Sequence, residues 1–524
     1  MNNQERVVGN AVSSILQVLI TGITLFFLYR YLLVTIGVEN LGIWSLVLAT
    51  TSISQVSNLG LVDCVVKFVA KYVALEDQES IEKIIQTILI TVGLTLGVML
   101  LILNFFSREL LAFFIQVALL PDALGIFPIA LISAWVMAMA WIIMGALDGY
   151  HRIDLRNYTV IGNNLTYIFL SILLVNKYGL MGLAIAQLLG SIFLLVVSSL
   201  FLKKYVRLPL IPKVWDKKLF KEMLGYGLNF QVIVITKLLY DPITKGLMAL
   251  FGGLAMVGYY EMASKMIQQF RGLIVSANQV LIPTIADLNE REPHKIKRIY
   301  LESYQLVFFV SIPLFSLIAI LIPIIAELWI GQQEIIFITI SLILLVGWFL
   351  NILSAPAYFT YLGIGCLKWN VISQLVIAGL NLILSWILGF YYGGLGVVLG
   401  FTSALILGSS IVMLAYHIAE NVSWKVLLTF NNSILLIAGL INITTYYFFY
   451  GKYLDNLLLY LRIPVLLTLF CLLTIVPISK HPLRIKLQYW SFQLYIKKRI
   501  FFLTPRGSVL NINYQLEKRI NVLR

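Results

Sequence analysis

The sequence predicts an all-α polytopic membrane protein, and three observations support this class. The 524 residues are 60% hydrophobic and only 12% charged, and the mean hydropathy is +0.93, so the chain has more apolar surface than a soluble core could bury. Apolar stretches of about 20 residues, long enough to cross a hydrocarbon core, recur along almost the whole length. Because lipid cannot satisfy backbone polar groups and no alternating β-barrel pattern is present, these stretches are expected to be helices.

About fourteen membrane spans are expected from the lengths of the apolar stretches. The first is too long for the apolar part of a cleavable signal peptide and is expected to remain as a span. The cysteines have no metal or disulfide spacing, and neither a metal site nor a cofactor is expected. The expected spans are 11–36, 41–66, 84–106, 123–147, 157–175, 178–202, 223–250, 254–283, 303–325, 335–358, 369–390, 393–417, 425–450 and 458–478.

Basic residues concentrate in alternate loops and thereby indicate the orientation of the chain. The loops after spans 2, 4, 6 and 8 and the tail after residue 478 hold most of the Lys and Arg residues outside the spans. Because basic loops stay on the cytoplasmic side, both termini are expected in the cytoplasm. The formal net charge of +14 follows from this topology, and no nucleic-acid partner is expected.

Two short segments of the first half recur in the second half. "GVENLGIW" at 37–44 matches "GLAMVGYY" at 253–260, and "YGLMG" at 178–182 matches "YGGLG" at 392–396. The similar offsets predict two six-helix lobes related by a pseudo-two-fold axis along the membrane normal, plus two extra helices. The expected domains are an N-lobe at 1–204, a linker at 205–222, a C-lobe at 223–420, spans 13 and 14 at 421–478, and a basic cytoplasmic tail at 479–524.

The linker and the tail both combine aromatic with basic residues. Within the linker, Trp215 and Leu219 fall on one helical face, and Lys217 and Lys221 fall on another. This pattern predicts an interfacial helix on the inner leaflet, although a simple tether between the lobes is the alternative. The tail suits contact with anionic lipid headgroups, and a merely solvated tail is the alternative there.

Charged residues inside the spans mark the candidate site, because a charge at the middle of a span costs roughly 2.5–3.5 kcal/mol. Lys237 and Asp241 share one face of span 7, and Glu261 and Lys265 share one face of span 8. These could be self-neutralising pairs that only hold the lobe together. Arg30 and Lys265 are expected at similar depth, where they would meet in one cavity between the lobes. A cavity with surplus positive charge attracts an anion.

Four segments resemble the Wzx-type flippases, the polysaccharide-export branch of the multidrug/oligosaccharidyl-lipid/polysaccharide exporter superfamily. They are "NLGIWSLV", "NLGLVDCVVKFVAKY", "DPITKGLMALFGGLAMVGYYEMASKM" and "VLIPTIADL". The resemblance covers spans 1–12 and implies a cationic cavity between two lobes in the bacterial inner membrane. It implies translocation of an undecaprenyl-diphosphate-linked oligosaccharide from the inner to the outer leaflet. By position, Arg30, Asp241 and Lys265 match charged residues of the family, but Lys265 stands where arginine is frequent, and lysine lacks its bidentate fork.

The resemblance and the residue chemistry together assign expected roles. Arg and Lys form short charge-assisted bonds to phosphate, so Arg30, Lys265 and Lys237 are expected to bind the diphosphate. Asp241 and Glu261 are expected to carry a coupled proton or sodium ion, because no ATP-binding motif is present. Amides and aromatic rings are expected to line the glycan site: Asn58, Asn229, Gln231, Asn278, Tyr259, Tyr260 and Trp44.

Two other functions are weighed against the flippase. A MATE-like exporter of cationic drugs would need an acidic cavity, whereas Asp241 and Glu261 each have a lysine one helical turn away. A membrane-embedded polysaccharide polymerase or ligase would need catalytic residues in an outer loop. The expected outer loops are nearly all very short, and the four histidines fall on the expected cytoplasmic side in no catalytic spacing. The chain is therefore expected not to be an enzyme.

Overall fold

The computed structural model describes residues 3–52, 61–206, 212–279, 281–423, 425, 429–449 and 459–484. These residues form helices and connecting turns, with no β-strand among them. The helices are α1 (Asn3–Ser52), α2 (Leu61–Ala74), α3 (Gln78–Phe105), α4 (Ser107–Ala112), α5 (Leu120–Gly149), α6 (Ile153–Leu202), α7 (Lys217–Gly252), α8 (Leu254–Asn278), α9 (Leu281–Arg291), α10 (Ile296–Ile330), α11 (Ile335–Leu353), α12 (Ala355–Ile364), α13 (Lys368–Ala419), α14 (Phe430–Phe449) and α15 (Leu459–Lys480).

Eight helices in the described part of the chain are long and apolar enough to cross a membrane. Three of them, α1, α6 and α13, each contain one glycine with non-helical backbone angles and are therefore two helices in sequence. Every expected span overlaps one of the helices. The predicted class, an all-α polytopic membrane protein, is confirmed.

The backbone angles of four glycines confirm the internal repeat. Gly37 has φ 80° and ψ 169°, and Gly253, its counterpart in the second half, has φ 81° and ψ 171°. Gly179 has φ 56° and ψ −133°, and Gly393 has φ 62° and ψ −149°. Only glycine adopts such positive φ values without strain. The matched sequence segments therefore break the helices in the same way in both repeats.

The two repeats touch through a reciprocal pair of backbone contacts. A Cβ atom on Gly258 would lie 2.5 Å from the carbonyl oxygen of Val38, and a Cβ atom on Gly42 would overlap the carbonyl of Leu254. Gly42 and Gly258 are counterparts in the repeat, as are Val38 and Leu254. A two-fold axis between the repeats produces such pairs of contacts, because a contact between two residues recurs between their counterparts. Glycine lets the two backbones approach this closely.

The described chain forms two compact units. The first contains the described residues of 1–307 and 321–422 and includes both repeats. The second contains residues 308–320 and the described residues after 422. Inside the second unit, the Tyr447 hydroxyl donates to the Ala319 carbonyl over 3.3 Å, and a Cβ atom on Gly439 would lie 3.0 Å from Ile312. The predicted lobe boundaries remain predictions.

The segment before α7 is fastened to α3 by hydrogen bonds. The backbone N–H groups of Lys213 and Val214 donate to the Gln86 side-chain oxygen over 2.9 and 3.2 Å. The backbone N–H of Asp216 donates to the Thr87 hydroxyl over 3.1 Å. The Asp216 side chain in turn caps the first turn of α7, as is typical of an N-cap aspartate. The predicted amphipathic segment therefore continues directly into α7, and its position at the membrane surface remains a prediction.

Candidate functional site

A cavity of about 740 Å³ lies within the second repeat. Its walls come from α7, α8, α9, α11, α12 and α13, and its lining residues fall between positions 240 and 412. The cavity therefore belongs to one repeat, whereas the sequence predicted a cavity between the lobes. The charged residues of its wall are Asp241, Glu261, Lys265 and Arg271. Its polar and aromatic residues include Tyr240, Tyr260, Gln268, Trp348, Asn351, Tyr358 and Gln374.

Helix α8 provides most of the charged wall. Its cavity-lining residues Glu261, Lys265, Gln268, Arg271 and Val275 recur every three or four positions. Side chains with this spacing project from one side of a helix. The polar residues among them form the polar stripe of span 8, and this stripe lies on the face that Glu261 and Lys265 were expected to share.

Two acids of the wall share one buried lysine. The Lys245 ammonium nitrogen lies 2.7 Å from Glu261 Oε2 and 2.5 Å from Asp241 Oδ2. The side chains of Lys245 and Glu261 are 4% and 6% exposed, whereas that of Asp241 is 46% exposed. Buried charges need such partners, because their desolvation is costly. Lys245 therefore holds the two carboxylates in place at the cavity wall.

Glu261 also links the two repeats. Its carboxylate accepts hydrogen bonds from the Tyr29 hydroxyl over 3.1 Å and from the Ser45 hydroxyl over 3.0 Å. Both donors belong to α1, in the first repeat, whereas Glu261 lies in the second. The Lys265 nitrogen is 3.7 Å from Glu261 Oε1, beyond hydrogen-bond distance, and its side chain is 48% exposed. The Lys265 ammonium group is therefore held only loosely and is accessible to a ligand in the cavity.

Arg271 is the second cation of the cavity wall. Its guanidinium carbon lies 4.5 Å from the centre of the Trp348 ring, and its Nη2 donates to Asn351 Oδ1 over 3.3 Å. In the described part of the chain, no carboxylate lies within ion-pair distance of this guanidinium. Arg271 was not among the expected site residues. Arg271 lies on the same polar stripe of span 8 as Lys265, and this position in the sequence could have identified it as a site residue.

Arg30 occupies a different place from the one expected. Its Nη1 donates over 2.8 Å to the backbone carbonyl of Trp329, near the C-terminal end of α10, where helix carbonyls lack intrahelical partners. The Trp329 ring packs against Phe26 and Tyr29, with ring centres 5.3 and 6.2 Å apart. Arg30 lines neither the cavity nor the apolar groove that Lys265 borders, and its expected binding of the diphosphate remains a prediction.

The remaining expected residues divide into three groups. Asn58 and the side chains of three residues of α7 lie outside the described part: Asn229, Gln231 and Lys237. Tyr260 lines the cavity. Trp44, Tyr259 and Asn278 do not line it, and the Asn278 amide donates to the Ile274 carbonyl of its own helix over 2.8 Å. The roles expected for all of these residues remain predictions.

Lys265 also borders a smaller apolar groove that is lined by α1, α8 and α10. This groove has a volume of about 230 Å³. Ile23, Phe26, Phe270 and Leu273 are among the residues that line it. One ammonium group therefore stands where a polar cavity and an apolar groove adjoin, which is the arrangement that an amphiphilic ligand requires.

The apolar helices, the glycine breaks, the repeat and the polar cavity define a multi-pass membrane protein with an internal cavity. A family model described as "Polysaccharide biosynthesis protein" matches residues 35–334, more than half of the chain, so the protein belongs to this family. The match supports the resemblance to the Wzx-type flippases. No curated protein sequence matches the chain.

Several solved structures share the fold. An inward-facing multidrug resistance MATE family transporter of the MOP superfamily has a TM-score of 0.68 at 18% identity, covering 76% of this chain and 94% of its own. The lipid II flippase MurJ in an inward closed conformation has a TM-score of 0.67 at 16% identity, covering 89% of this chain and 98% of its own. A mutant of the Vibrio cholerae MATE transporter VcmN has a TM-score of 0.58 at 14% identity, covering 81% and 99%. At these identities the likeness establishes the fold alone.

Proposed function

We propose that the protein is a flippase that moves an undecaprenyl-diphosphate-linked oligosaccharide from the inner to the outer leaflet of the bacterial inner membrane. The observation that carries this proposal is the charge of the cavity. Asp241 and Glu261 are balanced by Lys245 and Lys265, and Arg271 adds a positive charge that no described carboxylate balances. The ionisable residues of the described site therefore sum to one positive charge, which favours an anionic ligand.

The diphosphate is assigned to Lys265. To leave water, a diphosphate needs charge-assisted donors in place of its hydration shell. Lys265 is half exposed to the cavity and holds only the long contact to Glu261. Lys237 is a further proposed ligand. Arg30 would reach the diphosphate only after releasing the Trp329 carbonyl, so its contribution is proposed for another state of the transport cycle.

The remaining parts of the substrate match the two spaces beside Lys265. The cavity offers amides and aromatic faces, among them Gln268, Gln374, Tyr240 and Tyr358, which suit the hydroxyls and apolar ring faces of sugars. The apolar groove suits a hydrocarbon chain. A lipid-linked oligosaccharide combines these chemistries in one molecule. A cationic drug would need an acidic cavity wall, whereas the ionisable residues of the described site carry a net positive charge.

Transport would proceed by alternating access, in which one repeat rocks against the other. The hydrogen bonds of Glu261 with Tyr29 and Ser45 would have to break during this motion. Protonation of Glu261, or a sodium ion at Asp241 and Glu261, would weaken them, and this is the coupling that we propose. The basic loops support placement of both termini in the cytoplasm.

A deletion strain tests the proposed function. We expect loss of the gene to trap a lipid-linked oligosaccharide on the inner leaflet, and the wild-type gene to restore its export. Labelling of the glycan from outside intact cells, with total lipid-linked glycan as the control, measures this. Normal glycan export together with increased sensitivity to cationic dyes would contradict the proposal and favour a drug exporter. Single unlinked glycan repeats already present outside would favour a polymerase.

A further inference from the structure

We propose that Arg271, Trp348 and Asn351 form a second anion subsite in the cavity, and that it binds the carboxylate of an acidic sugar in the translocated glycan. The inference rests on the proposed function, because it names the class of glycan that the same cavity accepts. It concerns a group of the substrate that lies apart from the diphosphate.

Two buried donors of this subsite point to an acceptor. The Nε atom of Arg271 and the Nε1 atom of Trp348 are both buried and have no hydrogen-bond partner among the described residues. Both residues line the cavity. Guanidinium and indole N–H groups can donate but not accept, and leaving a buried donor unpaired is costly. A carboxylate, which when ionised only accepts, matches this set of donors.

The guanidinium is held in position before any ligand arrives. The Trp348 ring lies 4.5 Å from its centre on one side, and Asn351 accepts from its Nη2 over 3.3 Å. A planar fork fixed in this way loses little conformational freedom when it binds a carboxylate. The other described cations of the site, Lys245 and Lys265, already face Glu261. Arg271 therefore carries a positive charge that no described carboxylate balances.

The subsite is separate from the position assigned to the diphosphate. Six residues of helix place Arg271 about 9 Å along the axis from Lys265 and about 120° around it. Lys265 borders the apolar groove. A diphosphate bound at Lys265 would therefore place the hydrocarbon chain of the substrate in the groove. Arg271 borders Trp348 and Asn351 inside the polar cavity. The second cation therefore faces the part of the cavity that we assign to the glycan.

Transport of two matched probes by the purified full-length protein in liposomes tests the inference. Both probes are undecaprenyl-diphosphate trisaccharides, and they differ only in that one carries a glucuronic acid where the other carries glucose. We expect Arg271→Gln to slow transport of the acidic probe about tenfold more than transport of the neutral probe, because only the acidic probe loses the charged hydrogen bond to its carboxylate. Trp348→Phe keeps the ring but removes the N–H donor, so we expect a smaller loss in the same direction.

Lys368→Gln serves as the control, because Lys368 lies 5.5 Å from the Trp369 ring but does not line the cavity. It should leave the ratio of the two rates unchanged. An equal loss of both probes in Arg271→Gln would assign the guanidinium to the shared diphosphate and overturn the inference while keeping the proposed function. Unchanged rates for both probes would also overturn it. If the wild-type protein moves neither probe, the proposed function fails, and the inference fails with it.

Discussion

Glu261 makes more of the described polar contacts than Asp241, the other acid described in the cavity wall. It binds Lys245 within its own repeat, and it accepts from Tyr29 and Ser45 of the other repeat. Because this carboxylate is buried, each of its hydrogen bonds is formed in a low-dielectric environment, where an unpaired group is costly. The residue therefore contributes both to the stability of the second repeat and to the contact between the repeats.

Glu261→Gln should destabilise the protein more than Asp241→Asn. Both changes remove one negative charge from Lys245, but Glu261 is buried and Asp241 is half exposed. We expect a loss of about 1.5–3 kcal/mol for Glu261→Gln, as for a buried hydrogen bond to a charged group, and less than about 1 kcal/mol for Asp241→Asn. Thermal unfolding of the two variants in detergent measures the difference. Equal melting temperatures would contradict the structural role assigned to Glu261.

Lys265 is expected to be required for transport but not for folding. Its side chain is half exposed and forms only a long contact to Glu261, so Lys265→Ala should abolish export without lowering the amount of protein. Lys265→Arg should keep substantial activity, because arginine also binds phosphate through charge-assisted bonds. Complementation of a deletion strain, with protein abundance measured in parallel, compares the two variants. Full export by Lys265→Ala would remove Lys265 from the proposed diphosphate site.

Arg271 and Arg30 illustrate what the sequence could and could not predict about single residues. The spacing of Glu261 and Lys265 predicted which side of span 8 faces the site, because one helix determines that direction. The partners of Arg271 lie on α11, about eighty residues further along the chain, and no local pattern connects them. Depth along span 1 suggested that Arg30 reaches the cavity, but its guanidinium donates to the carbonyl of Trp329 on α10. Such pairings depend on how helices pack.

At the scale of single helices, close packing at glycine limits which substitutions the repeats tolerate. We expect Gly258→Ala to destabilise the protein by about 1–3 kcal/mol, as overpacking does, because the added Cβ would lie 2.5 Å from the Val38 carbonyl oxygen. Gly272 lies on the same helix, and a Cβ atom there would have no neighbour within 4 Å. Gly272→Ala should therefore be neutral or stabilising. Thermal unfolding in detergent compares them, and equal effects would contradict the close contact.

The segment before α7 gives a second prediction at this scale. Gln86 accepts from two backbone N–H groups of the segment, and Gln86→Leu would leave both without that acceptor. We expect trypsin to cleave this variant faster at Lys213 or Lys217, because the segment would detach more often from α3. Gln86→Glu keeps an acceptor oxygen and should resist cleavage as the wild type does. Unchanged cleavage of Gln86→Leu would show that other contacts fasten the segment.

At the scale of the whole molecule, the fold was more predictable than the site. Span lengths follow directly from apolar composition, and the repeat was readable because Gly37 and Gly253, and Gly179 and Gly393, must be glycine for the helices to break there. The location of the cavity within the second repeat could not be predicted from the sequence, because it depends on the space left between six helices. Local rules therefore predicted the helices and their breaks, while tertiary packing determined which side chains meet.

At the same scale, we claim that the proposed transport requires a hydrated cavity beside Lys265 that accepts a diphosphate headgroup. In a variant whose native cysteines are replaced by serine, Gln268→Cys places one thiol on the cavity wall between Lys265 and Arg271. Leu382→Cys, exposed on α13 but not lining the cavity, is the control, because a thiol in lipid forms little reactive thiolate. The rate of modification by a water-soluble thiol reagent in permeabilised membrane vesicles is the measurement.

We expect rapid modification of Gln268→Cys, slow modification of Leu382→Cys, and protection of Gln268→Cys by an undecaprenyl-diphosphate-linked oligosaccharide but not by undecaprenol. Modification of Gln268→Cys no faster than that of Leu382→Cys, or equal modification with and without the lipid-linked oligosaccharide, would contradict the claim.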